Sequence, residues 1–129
     1  MQVSDAFREF WTERHLCTLT TLRRDGSPHV APVGVTLDVE SGVARVISSG
    51  TSFKARRVRQ AGAEGVRVAV CQVDGARWST LEGVAVLRDD PESVADAVRR
   101  YAARYKQPRV NPERVVLEIA VTRILGNVR

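Results

Sequence analysis

The sequence predicts a mainly β, α+β domain: a closed or partly closed antiparallel barrel with short helices at its ends. Three observations lead there. About six strand-like runs of partial apolar alternation follow one another in hairpin order. Tight-turn signals such as Asp25-Gly26 separate them. Only two or three helical patterns interrupt them, without the regular strand–helix–strand units of a Rossmann sheet. The 129 residues carry 43% hydrophobic and 27% charged side chains, so one soluble domain over residues 1–129 is expected. A chain this short encloses a cofactor poorly, and a second subunit is expected to form one wall of any active site.

The first pattern, 5–14, places Phe7, Phe10 and Trp11 on one side of a helix, with Asp5 as its cap. In 16-LCTLTTL-22 both faces are largely apolar, which predicts a strand with little free surface. The turn 23-RRDGS-27 returns the chain into one strand, 28-PHVAPVGVTL-37, where Pro32 argues for an edge position or a bulge. A second turn leads into 43-VARVIS-48. A short charged helix follows, capped by Thr51 or Ser52 and broken by Gly62 and Gly65. Strands 66–73 and 78–87 flank the turn 74-DGAR-77. A helix over 91–106 opens with Asp90 as cap and Pro91 in its first position. The last strand is 113–125.

Charge narrows the function. The net charge is +5, and eighteen of the twenty basic residues are arginine, with Lys54 and Lys106 the only lysines. Residues 51–67 hold Lys54, Arg56, Arg57, Arg59 and Arg67 against Glu64 alone, a local balance of +4. Nucleic acid is not the expected partner, because helix-turn-helix, RNA-binding aromatic and Gly-x-x-Gly patterns are all missing. No apolar run reaches 18 residues, so no membrane span is expected. The N-terminus MQVSDAFREFWTERH does not read as a targeting segment, and the cytoplasm is the default compartment. Cys17 and Cys71 read as two separate buried thiols, and two histidines are too few for a metal cluster.

A helix N-terminus beside Ser52 and Lys54 suits an anion. It offers free N–H groups, a hydroxyl and a mobile ammonium, and an arginine can add paired hydrogen bonds. Lys54 and Arg57 are three apart and share a helix face, whereas Arg56 is expected to face elsewhere. The plainer alternative is a solvated helix face. Arg45, between Val43 and Ile47, flanks a cofactor or pairs with an acid on the barrel surface. Trp78 packs, or walls a planar ligand. Arg77 is a candidate for meeting a ligand's carboxylate or anionic tail. Gln72 closes an apolar strand and is a candidate for bonding a heterocycle. Thr20 and Thr21 lie on opposite strand faces, so at most one points at a ligand. His29 more readily serves structure than catalysis.

The blocks 16-LCTLTTLRRDGSPHVAPVG-34, 43-VARVISSGTSFKARRVRQ-60 and 72-QVDGARWSTLEG-83 resemble, in that order, the flavin- and deazaflavin-binding split β-barrels related to pyridoxamine 5′-phosphate oxidase. Within that superfamily the chain is most similar to the small actinobacterial enzymes that use coenzyme F-420, in particular those reducing biliverdin. The resemblance extends through 101-YAARYKQPRVNPERVVLEI-119. It implies a six-stranded antiparallel split barrel of the FMN-binding type and a homodimer with cofactor sites at the interface. It implies coenzyme F-420, with FMN as the alternative, and hydride transfer to a small-molecule acceptor such as biliverdin. It implies cofactor contacts from Thr21, Arg45, Val46, Ile47, Ser48, Ser52, Lys54, Arg57, Gln72, Ala76, Arg77 and Trp78, the 72–78 segment often coming from the partner subunit. No residue is singled out as catalytic, and no metal is implied. A tetrapyrrole-binding protein without redox activity is the non-enzymatic alternative. Phe53 departs from the pattern, which has a polar residue between Ser52 and Lys54.

Overall fold

The computed structural model describes residues 1–129. The chain runs α1 (Asp5–Thr12), β1 (Cys17–Leu22), β2 (Pro28–Val33), β3 (Thr36–Asp38), β4 (Val43–Ser49), α2 (Phe53–Ala61), β5 (Val66–Asp74), β6 (Arg77–Arg88), α3 (Pro91–Arg104) and β7 (Arg114–Gly126). The strands form one antiparallel sheet of seven in the order β2-β1-β5-β6-β7-β4-β3. The strand expected over 28–37 is therefore two strands, and the count rises from six to seven. Pro32 does lie on an edge, since β2 pairs only with β1.

The break has a topological cause. β2 and β3 are the two opposite edges of the sheet, yet only Gly34 and Val35 separate them in sequence. The sheet must curl to bring its edges that close, and the edges do not pair, which leaves the barrel split. The underside of α3 holds this link. Tyr105 Oη accepts from Val35 N at 3.0 Å and donates to the carbonyl of His15 at 2.6 Å. Arg104 Nη1 donates to the Val35 carbonyl at 2.6 Å. Gly34 lies so tightly beneath α3 that a Cβ there would come within 2.6 Å of the Tyr101 ring.

Strand alternation places the core. Cys17, Leu19 and Thr21 of β1 point inward with Val68, Val70 and Gln72 of β5, and Leu81 and Leu117 join them. α1 plugs the barrel with Phe7, Phe10 and Trp11, and Trp11 Nε1 donates to Ser79 Oγ at 3.0 Å. Its cap is Ser4, whose hydroxyl accepts from Phe7 N at 3.1 Å, and not Asp5. α2 buries Ala55 and Val58. α3 starts as its sequence predicts, with Asp90 accepting from Ser93 N at 3.0 Å. No helix is long and apolar enough to cross a membrane.

β1 does not have the two covered faces expected of it. Leu16 is 71% and Leu22 43% exposed, because the outer face of β1 is open in the single chain. Cys17 is buried but Cys71 only half-buried, and both thiols are free. Burial raises the pKa of Cys17 above its ordinary value.

Candidate functional site

The junction between β4 and α2 is built by hydroxyls. Ser52 caps α2, its Oγ accepting from Ala55 N at 3.2 Å. Ser48 Oγ lies 2.8 Å from Ser52 Oγ, and Ser49 Oγ 3.0 Å from Thr51 Oγ1. These contacts fix where the strand stops and the helix mouth opens. Lys54 sits in the first turn, half-buried, with no ion pair and no side-chain hydrogen bond in the chain. Its burial removes water from the ammonium and holds its pKa below the ordinary lysine value. A half-buried cation without a partner is costly, and an arriving anion would relieve that cost.

The β1–β2 turn forms the facing wall. Asp25 accepts from both Ser27 Oγ (2.6 Å) and Ser27 N (2.9 Å), which lowers its pKa, and Gly26 takes φ 84° as the turn requires. Arg57 Nε donates to the carbonyl of Leu22 at 2.7 Å and ties α2 to the end of β1. Between turn and helix lies a cleft of about 260 Å³ lined by Arg23, Arg24, Phe53, Arg56, Arg57 and Gln60. Phe53 is its one apolar residue. Its ring is 4.4 Å from that of His29, and the Arg23 guanidinium lies 5.8 Å from its centre.

Positions 53, 56, 57 and 60 are one face of α2. Arg56 therefore stands beside Arg57 on the cleft, a correction to the expectation that it faces elsewhere. Arg23, Arg24 and Gln60 were not expected at the site. The pair Arg23-Arg24 ahead of a hairpin was the available signal, but the turn's docking beside α2 is a tertiary contact.

Several expected site residues have other partners. Arg45 points to α3 and β7, where the Nε of its largely buried side chain lies 3.8 Å from Asp96 and 3.7 Å from Glu118, with Nε and Nη1 making no hydrogen bond. Val46 is fully buried in the core, while Ile47 is half-buried on the Arg45 face of β4. Thr21 is fully buried, and its hydroxyl has no hydrogen-bond partner. Gln72 cannot offer its amide to a heterocycle without breaking the core. Its Nε2 donates to the Phe10 carbonyl at 2.9 Å, and its Oε1 accepts from Arg104 at 2.7 Å.

Ala76, Arg77 and Trp78 lie at the far end of the barrel. Arg77 Nη2 donates to Glu13 (3.0 Å) and Asp74 (2.6 Å), and its guanidinium sits 4.6 Å from the centre of the Phe10 ring; His15 and then Arg77 lower the pKa of Glu13, and Arg77 lowers that of Asp74. Asn127 holds the turn by accepting from Trp78 N and donating to the Ala76 carbonyl. The Trp78 side of the turn remains exposed. Gln72 pairs with Cys17 at the start of β1, whereas Arg57 meets Leu22 at its end. Those points are about 17 Å apart along the strand. One chain thus brings together Ser48, Ser52, Lys54 and Arg57, and keeps Gln72, Ala76, Arg77 and Trp78 away from them.

This fold is a split barrel with a cation-lined helix mouth between β4 and α2. A family model described as pyridoxamine 5′-phosphate oxidase matches residues 3–127, and the chain belongs to that family. An F-420H2-dependent biliverdin reductase of Mycobacterium tuberculosis (strain CDC 1551 / Oshkosh) is 48% identical over 126 residues, covering 98% of this chain and 89% of that protein. Two solved structures share the fold. One is an F-420 reductase, with TM-score 0.74 and 21% identity over 95% of this chain and 98% of that one. The other is the conserved hypothetical protein Rv2991 of M. tuberculosis, with TM-score 0.75 and 23% identity over 98% of this chain and 85% of that one.

Proposed function

We propose that this protein is a coenzyme F-420-dependent oxidoreductase that reduces an organic acceptor, with biliverdin, giving bilirubin, as the acceptor. The observation that carries the reading is the match over 98% of the chain to a biliverdin reductase of that cofactor dependence. The geometry supports it. Ser52 and the α2 N-terminus suit a phosphodiester, and Lys54 supplies the counter-charge its own chain leaves unpaired. Bound coenzyme supplies the hydride at C5 of its deazaflavin. The protein's own task is to hold ring and acceptor in register and keep water out.

The active form is a homodimer on this reading. Leu16, Leu22, Val30, Val73 and Trp78 are exposed apolar side chains, and the strands that carry them or lead into them, β1, β2, β5 and β6, are neighbours in the sheet. Packing a second copy there covers that surface and lets a partner's 76–78 segment approach the helix mouth its own chain cannot reach. A cytoplasmic setting agrees with two free cysteines.

FMN is the second reading, since the family is described by an oxidase. The decisive experiment titrates the purified protein with F-420 and with FMN, followed by tryptophan fluorescence, and then assays loss of biliverdin's long-wavelength absorbance. Tight binding of F-420 with turnover of biliverdin is expected. Preference for FMN would move the protein to the oxidase-like branch. Binding of F-420 without biliverdin turnover would leave the cofactor and remove the acceptor. Sedimentation of wild type and Trp78→Glu tests the dimer, with dissociation of the variant expected.

A further inference from the structure

The hairpin turn between β5 and β6 is held more firmly than a surface turn needs. Asp74 pairs with Arg77 across it, and Gly75 takes φ 60° at its tip. Val73 and Trp78 are cross-strand partners on the outer face, and both are exposed. An exposed indole on a short hairpin ordinarily moves with its turn. Here two clasps restrain it. On one side the Arg77 guanidinium bonds Glu13 and Asp74. The other clasp is uncharged and comes from the end of β7.

Backbone pairing between β6 and β7 stops at Ser79 and Gly126. The Asn127 amide carries the hydrogen bonding one step further. Its Oδ1 accepts from Trp78 N at 3.0 Å, and its Nδ2 donates to the Ala76 carbonyl at 2.6 Å. An amide is suited to this, because it offers an acceptor and a donor together, as a backbone peptide does. Both neighbours fix Asn127 in place. At Gly126, with φ 121°, the chain presses so close to β6 that a Cβ would collide with the Trp78 carbonyl. Val128 is buried in the hydrophobic core. The position of the amide is therefore set by the fold, and its two bonds pass that position on to the turn.

We infer that Asn127 is a positioning residue of the coenzyme site. Through the Trp78 N–H and the Ala76 carbonyl it fixes the 76–78 turn that a second subunit receives. The inference rests on the functional reading above, in which that turn approaches the partner's helix mouth. Both functions of the amide are spent on the turn, so Asn127 acts through Ala76 and Trp78. A turn already ordered in the free protein lowers the entropy cost of binding.

Asn127→Ala removes both bonds. Arg129→Ala is the control, since the Arg129 side chain bonds only the Gly126 and Ile124 carbonyls at the same end of β7. Trp11 is buried and Trp78 exposed, so acrylamide-sensitive tryptophan emission reports on Trp78. Its local anisotropy decay should quicken in Asn127→Ala and stay unchanged in the control. Calorimetry should show F-420 binding Asn127→Ala about tenfold more weakly than wild type, because the turn must then be ordered on binding. Asn127→Asp keeps the acceptor but sets a carboxylate against the Ala76 carbonyl, and should also weaken binding.

Subunit mixing separates positioning from a general loss of structure. In a hybrid of Lys54→Ala and Asn127→Ala subunits, one site joins an intact helix mouth to an intact turn, and the other collects both defects. The hybrid should regain one site of wild-type affinity per dimer, although neither parent has any. Wild-type anisotropy or affinity in Asn127→Ala, an equal loss in Arg129→Ala, or a hybrid that does not form or has no tight site overturns the inference. F-420 binding by wild type leaves the functional reading standing in each of those cases. A wild type that binds no F-420 overturns the reading and the inference together.

Discussion

Two arginine-rich regions of this molecule do opposite work. Along α3 and the outer face of β4 and β7, Arg45, Arg88, Arg99 and Arg100 each lie against an acid. Arg45 lies between Asp96 and Glu118, Arg100 Nε donates to Asp96 at 3.0 Å, and Arg88 Nε to Glu118 at 3.3 Å. Across the cleft between the β1–β2 turn and α2, Arg23, Arg24, Arg56 and Arg57 have no acid partner, and neither does the nearby Lys54. The first region has settled its charge within the chain and reads as structure. The second has left its charge unsettled and reads as a site. Composition counts both as the same excess of arginine.

The largest expected effect lies in neither surface but at the most buried guanidinium. Arg104 donates to the carbonyls of Glu13 (2.8 Å) and Val35 (2.6 Å) and to Gln72 Oε1 (2.7 Å), joining α1, the β2–β3 link and β5. Arg104→Met should cost about 2–4 kcal/mol in urea unfolding, because buried acceptors lose a charged donor. A loss under 0.5 kcal/mol, on the order of an ordinary surface change, would show that water replaces the guanidinium.

Lys54→Ala comes next and should act on binding. Binding of the coenzyme should weaken by about 1.5–3 kcal/mol, the worth of one charge-assisted contact, read as a raised dissociation constant. An unchanged constant would end the phosphate role of this residue. Arg45→Met sharpens the contrast from the other side. It should cost about 1 kcal/mol or less in stability, since Asp96 and Glu118 keep other arginines and the buried Arg45 Nε and Nη1 have no hydrogen bond to lose, and should leave coenzyme affinity where it was.

The smallest effect is a pH signature. Desolvation depresses the Lys54 pKa in the folded state below its ordinary 10.5. In the alkaline window between the folded and unfolded values the unfolded chain binds more protons, so folded stability rises with pH. The wild-type free protein should therefore gain slightly on Lys54→Met across that window, while its affinity for an anion falls as the ammonium is lost. Parallel stability curves for the two proteins would mean that Lys54 is not measurably desolvated.

What the sequence showed well was local. Asp90 and Pro91 start α3, Ser52 caps α2, Asp25-Gly26 turns β1 into β2, and Gly62 ends the charged helix with φ 62°. Each depends on a few neighbouring residues. The division of 28–37 into β2 and β3 was not visible, because alternation continues through Gly34 and only the sheet order makes the two halves opposite edges. Asp5 and Ser4 are both good caps, and only the backbone path selected Ser4.

The amino-acid sequence by itself determined the antiparallel class, the helix starts, the resemblance to the split barrels and the concentration of positive charge at 51–67. These follow from spacing and from residue order. The tertiary structure decided which charges are spent. It gave Arg45 to Asp96 and Glu118, Gln72 to Phe10 and Arg104, and Arg77 to Glu13 and Asp74. It also brought the 23–24 turn against α2 and carried Trp78 to the other end of the barrel. A pairing between residues tens of positions apart depends on how the sheet curls, and no local pattern encodes that distance.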